Sequence, residues 1–95
     1  MTEEWFFYGA PYLNEDLEEV RFKIARGGER YSCVICCTSL QGHEQLESEM
    51  SPIDNFGLKG RTILKLAVQC IVLGLKRESD GLYFISSEQY KAQLN

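Results

Sequence analysis

One stretch of alternating polar and apolar residues, folded about a pair of glycines, constrains this chain more than any other feature of its sequence. In Glu19–Arg26, apolar side chains occupy every second position, and residues 30–38 continue the same alternation. Between the two runs, Gly27 and Gly28 suit the positive φ angles of a two-residue turn. Folding there opposes three apolar pairs on one face: Val20 with Ile35, Phe22 with Cys33, and Ile24 with Tyr31. The sequence therefore predicts an antiparallel hairpin with one buried face.

The rest of the chain supplies short strands and helices around this hairpin. An aromatic strand is predicted at residues 5–8 and a last strand at residues 82–86, with Ser87 capping a short terminal helix. A modest helix is expected over residues 39–50, with His43 on its apolar face. A chain of 95 residues builds a single core, so we expect one domain over residues 1–95. The predicted class is α+β, with two layers: a small antiparallel sheet, made of the hairpin and the N-terminal and C-terminal strands, and helices packed on one face.

A long apolar helix is predicted to run from Pro52 to about Leu73. Ser51 and Pro52 form a typical helix start, with a serine cap and a proline in the first turn. Gly74 is suited to a left-handed C-terminal cap. Gly57 and Gly60 each weaken the early turns by about 1 kcal/mol relative to alanine, which allows a break there.

Several short sequence patterns follow one another along most of the chain. They are Val20-x-Phe22, the turn glycine Gly28, Cys33, Ser39-Leu40, Phe56 followed by Ile63, Ala67, Gly74, Asp80-Gly81 and the strand at residues 82–86. In this order and spacing the chain resembles the domain of unknown function 1488 family of small bacterial proteins. The glycine in Lys59-Gly60-Arg61 departs from the polar helical run of that family. The resemblance implies a compact α+β fold and a bacterial, cytosolic origin, and it assigns no activity and no functional residues.

Charge and hydropathy exclude some functions. The net charge is −4, with −6 in residues 1–50 and +2 in residues 51–95, so an acidic chain of this kind is not expected to bind nucleic acid. The most apolar stretch, residues 63–75, is shorter than the ~20 residues of a membrane span, and no signal peptide is recognisable. We therefore expect no membrane association, a cytoplasmic location and free cysteine thiols.

No group of residues predicts catalysis, a cofactor or a metal. On a predicted strand, Cys33 and Cys36 point to opposite faces, and Cys33 and Cys37 share a face but are roughly 13 Å apart, so the three are interpreted as small buried apolar residues. A thiol or metal sensor remains a lesser alternative. His43 has no partner at a catalytic spacing, and the aromatic residues at 5–12 have acidic neighbours in sequence, which favours packing over base stacking.

The leading functional hypothesis is a non-enzymatic module that forms a homodimer or binds a protein partner. The apolar arc of the main helix covers about 260° at 100° per residue, more than one sheet covers. The surplus stripe is the predicted interface: Leu64, Val68, Val72 and Leu75. The N-terminal aromatic residues or the terminal helix are the alternative cover for this stripe. A further alternative is a small-molecule binder or enzyme that uses a pocket between the N-terminal aromatic strand and the main helix.

Overall fold

The computed structural model describes residues 4–40 and 50–94, which contain five strands and four helices. The strands are β1 (Phe6–Phe7), β2 (Tyr12–Asn14), β3 (Glu19–Arg26), β4 (Glu29–Cys36) and β5 (Tyr83–Ile85). The helices are α1 (Cys37–Leu40), α2 (Pro52–Leu58), α3 (Gly60–Leu73) and α4 (Ser87–Leu94). Residues 41–49 of the helix predicted over 39–50, including His43, lie outside the described residues. The α+β class is confirmed.

The central hairpin has the register that the alternation predicts. β3 and β4 pair antiparallel, with Val20 opposite Ile35, Phe22 opposite Cys33, and Ile24 opposite Tyr31. Gly27 has a φ of +61°, the left-handed conformation that the first position of such a turn requires. The predicted register and turn are both confirmed.

The complete sheet is mixed, which corrects the expectation of a wholly antiparallel one. β1 and β2 both pair antiparallel with β3, on the side of β3 that does not face β4. β2 was not predicted from the sequence. β5 pairs parallel with β4, with Cys33 beside Tyr83 and Ile35 beside Ile85. The physical reason is the connection: β4 and β5 are separated by helices, and a helical crossover returns the chain to the end from which the next strand runs parallel.

Helices and strands share one hydrophobic core on a single face of the sheet, here called the inner face. The inward side chains of the hairpin pack with buried residues from all four described helices, which include Leu40, Phe56, Ile63, Cys70 and Tyr90. The rings of Phe7, Phe22 and Phe56 meet edge to face or tilted, with centroids 4.9 to 5.9 Å apart. The two-layer arrangement with helices on one face is therefore present.

The helix ends follow the capping signals in the sequence, with one shift. The Ser51 hydroxyl accepts from the Asp54 amide over 3.1 Å, and Gly74 closes α3 with a φ of +70°. The main helix is interrupted at Lys59, between α2 and α3. At α4 the cap is Ser86 rather than the predicted Ser87, because Ser86 and Gln89 hydrogen-bond reciprocally as a capping box. None of the described helices has the length and hydropathy to cross a membrane.

Candidate functional site

The four residues of the predicted interface lie in two different environments. Leu64 and Val68 are half-buried and pack against the core, whereas Val72 is 73% exposed and Leu75 is 41% exposed. The core of the protein therefore covers the first half of the stripe. The second half remains accessible.

Leu73 belongs with the exposed half, although it is not part of the predicted stripe. It is 67% exposed and lies between Val72 and the Gly74 cap, so three large apolar side chains surround the end of α3. We call Val72, Leu73 and Leu75 the α3-end patch. The exposure of Leu73 was not predicted, because helical periodicity gives only the angle of a residue around the helix axis and treats every turn as equally covered by the sheet.

The cysteines are buried thiols without a disulfide. Cys33, Cys37 and Cys70 are buried, Cys36 is half-buried, and all four are free. Burial raises the pKa of each thiol, and it raises the pKa of Cys33 to about 12. In residues 4–40 and 50–94 no group of three or more histidine, cysteine or acidic side chains is placed to hold a metal ion. These thiols are protonated at neutral pH and are poor nucleophiles and poor ligands.

A recess lies where the sequence suggested a pocket, between the N-terminal aromatic strand and the main helix. Its volume is about 510 Å³, and Phe7 faces the break between α2 and α3 across it. A Cβ atom added at Gly60 would lie 3.7 Å from a ring carbon of Phe7. Lys59, Arg61 and Thr62 provide its polar groups. The recess is broad and open, and none of the described residues that line it carries a carboxylate.

The opposite side of the sheet, here called the outer face, carries a network of ion pairs. Arg77 donates from both terminal nitrogens to the carboxylate of Glu19 over 2.9 Å, although Glu19 is only 3% exposed. Arg77 also pairs with Asp80, and Arg21 contacts both acids. Hydrogen bonding to Arg77 holds the pKa of Glu19 below its usual range, against the effect of burial, and lowers the pKa of Asp80 as well. The network ties the turn before β5 to the start of β3.

Beside this network the outer face contains a cleft of about 260 Å³, the outer-face cleft. Two tyrosines form one wall: Tyr8 is 39% exposed and Tyr12 is 55% exposed. Arg21, Lys23 and Ser32 line it from β3 and β4. The cleft therefore combines aromatic rings with cationic and hydroxyl donors.

The donors at the cleft differ in how they are engaged. Arg21 is bound to Glu19, and hydrogen bonding to Tyr12 raises its pKa. Lys23 lies directly across the strands from Ser32, and neither its ammonium group nor the Ser32 hydroxyl has a hydrogen bond or ion pair to another described residue. Arg30 stacks on Tyr8 with its guanidinium 4.2 Å from the ring centroid. The side of the cleft near Lys23 is thus electropositive, and the Lys23 ammonium group and the Ser32 hydroxyl can donate hydrogen bonds to a ligand there.

The cleft was not predicted from the sequence, because the residues that form it are neighbours in the sheet and not along the chain. The acidic residues that flank the aromatic segment in sequence argued against a cationic environment. Strand pairing instead brings Arg21, Lys23 and Arg30 next to Tyr8 and Tyr12. The available signal was the polar side of the predicted hairpin, where arginine and lysine alternate with the core residues.

Comparison of the chain with protein family models, curated proteins and solved structures finds no match in any of the three. The resemblance to the domain of unknown function 1488 family remains a prediction. The function must therefore be inferred from the surface itself.

Proposed function

We propose that this chain is a non-enzymatic interaction module that forms a homodimer through the end of α3. The exposure of Val72 and Leu73, at 73% and 67%, is the observation that carries the proposal. Contiguous exposed apolar side chains of this size are typical of interfaces, and a second copy of the same chain is the commonest partner.

Charge selects the surface on the second copy. Lys65 lies seven residues before Val72, on the same side of α3, and Lys76 directly follows Leu75, so two such patches placed face to face repel each other. The turn between β2 and β3 has the opposite character: Glu15 and Asp16 are exposed beside Leu17, which is 57% exposed. We therefore propose that the α3-end patch of one copy contacts this acidic turn of the other, reciprocally, with an apolar centre and a charged rim.

The test is the mass in solution, measured by light scattering with size exclusion from low micromolar to near-millimolar protein. The wild-type chain is expected to approach twice the monomer mass as the concentration rises, and more readily at low salt because charge pairing contributes. Val72→Lys is expected to remain monomeric while folding normally, since the side chain is exposed.

Gln69→Lys is the matched control, because it adds the same charge one turn earlier at an exposed position. It should retain most of the dimer. Val68→Glu places a charge at a half-buried position and should destabilise folding instead. A monomeric mass at every concentration, or equal loss of the dimer in Val72→Lys and Gln69→Lys, contradicts the proposal.

A further inference from the structure

We propose that the outer-face cleft is a binding site for a small planar organic anion, meaning a carboxylate or phosphate monoester carried on an aromatic ring. The cleft lies on the face of the sheet opposite the helices, and its lining residues are distinct from those of the proposed dimer contact, whose acidic turn follows β2. The inference depends on the charge, the aromatic wall and the size of the cleft.

The charge at the cleft selects an anion. Among the described residues, those that line the cleft include Arg21 and Lys23 and no carboxylate, and Arg30 lies beside Tyr8. Arg21 is paired with Glu19 and Asp80, both of which also bind Arg77. Lys23 has no ion pair to another described residue, so an anion near Lys23 meets positive charge that no described carboxylate compensates, whereas a cation meets repulsion.

Two donors are placed to bind the anionic group. Lys23 and Ser32 are opposite each other in the β3–β4 register, so the ammonium and the hydroxyl approach the cleft from adjacent strands. Both groups have their hydrogen-bonding capacity free with respect to the described residues. A carboxylate or phosphate oxygen is the acceptor that forms charge-assisted hydrogen bonds with such a pair.

The wall of the cleft selects a planar body. Tyr8 and Tyr12 expose their rings, and Ala10 and Leu82 add apolar surface. Arg30 already stacks on Tyr8, which fixes that ring in place. A ligand ring can stack on or abut these side chains while its anionic substituent points toward Lys23.

The size of the cleft indicates a small molecule rather than a polymer. At about 260 Å³ it lies just below the range of ~300–1,000 Å³ found for drug-sized ligands. The chain carries a net charge of −4, and the acidic turn at Glu15 and Asp16 follows β2 directly, which disfavours a long phosphate backbone. One ring system with one anionic group fits both limits.

The experiment follows the amide resonances of the isotope-labelled full chain during titration with 2-naphthoate. We expect saturable shifts confined to residues 8–12 and to Lys23, Ser32 and Leu82, with a submillimolar dissociation constant. The neutral probe 2-naphthamide retains the ring but lacks the charge, and it should bind about tenfold more weakly. This factor corresponds to the free-energy contribution of one charge-assisted hydrogen bond.

Lys23→Gln and Lys91→Gln separate a specific site from general attraction. Both remove one exposed lysine charge, and only Lys23 lines the cleft. Lys23→Gln should weaken 2-naphthoate binding about tenfold, and Lys91→Gln should leave it unchanged. Tyr8→Leu, which keeps apolar bulk without an aromatic face, should weaken it as well.

Five results overturn the proposal. The first four are the absence of saturable shifts at the cleft, equal effects of Lys23→Gln and Lys91→Gln, equal affinity for 2-naphthamide, and a single-stranded oligonucleotide binding the same residues more tightly than 2-naphthoate. Inorganic phosphate alone binding as tightly as 2-naphthoate also overturns it, because the planar body then contributes nothing.

Discussion

The two faces of the sheet use the same strands in different ways. On the inner face, Val20, Phe22 and Ile24 are buried against helices and the core is apolar. On the outer face, Glu19, Arg21 and Lys23 alternate with them and form ion pairs or line a cleft. No described helix contributes to the outer face. Polar side chains, the tyrosines of the cleft and the turn before β5 occupy it instead, together with the buried Val34 opposite Arg21.

This difference shows how stability and binding are divided between alternate residues of one strand. The inner face excludes water by packing rings and aliphatic chains, so its energetics depend on buried apolar area. The outer face buries one carboxylate, Glu19, and tolerates it because Arg77 binds both of its oxygens. Further along β3, Lys23 takes no part in these ion pairs, so its ammonium group is available to a ligand.

Thiol chemistry provides the largest expected contrast between buried and accessible positions. Because burial raises the pKa of Cys33 to about 12, its thiolate fraction at pH 8 should be roughly 1,000-fold below that of an unfolded cysteine. Native labelling with a thiol reagent should modify Cys36 first and leave Cys33, Cys37 and Cys70 almost unreacted, whereas labelling in denaturant should modify all four.

Cys36→Ser is the control, and its native protein should incorporate almost no reagent. Rapid native labelling of two or more cysteines contradicts this account of the core and favours a redox or metal role.

Arg77→Met tests the buried charge on the outer face. The substitution keeps a long apolar stem but leaves the Glu19 carboxylate buried without its bidentate partner. We expect a loss of about 2 kcal/mol in the free energy of unfolding, below the usual ~3–5 kcal/mol for breaking a buried pair because Arg77 is partly exposed. Denaturant melts provide the measurement.

Arg61→Met removes an exposed arginine from α3 and should change the free energy of unfolding by less than about 0.5 kcal/mol. If Arg77→Met and Arg61→Met lower the free energy of unfolding equally, the bidentate pair between Arg77 and Glu19 does not hold the turn to the sheet.

The same pair predicts how stability depends on pH. The folded pKa of Glu19 is lowered, so its contribution is fully present above the unfolded value near ~4.3 and is lost as the pH falls through the lower folded pKa. Unfolding free energy measured from pH 7 down to pH 2 should therefore decline below about pH 4. Glu19→Gln should be less stable at neutral pH and should show a shallower decline, and an unchanged slope in this variant contradicts the assignment.

The hairpin and the helix ends were predictable because their causes are local. Alternation around Gly27 determines which side chains face the core, and a serine or glycine at a helix end acts within a few residues. The interruption at Lys59 likewise follows from the glycines on either side of it.

The parallel strand and the outer-face cleft were not predictable because their causes are long-range. Tyr83–Ile85 is too short to indicate a partner, and its direction depends on the helical crossover before it. Arg77 and Glu19 are 58 positions apart, so no spacing pattern links them. The environment of Tyr8 likewise depends on strands that lie later in the chain.

The division between the two faces is tested most directly by adjacent residues of β3. Phe22 is 3% exposed on the inner face, and Lys23 is exposed on the outer face. In denaturant melts, Phe22→Ala should reduce the free energy of unfolding by about 3–5 kcal/mol, as large core truncations do, whereas Lys23→Ala should change it by less than about 0.5 kcal/mol. Equal costs for the two substitutions would contradict the account, because one strand would then not separate a stabilising face from a binding face.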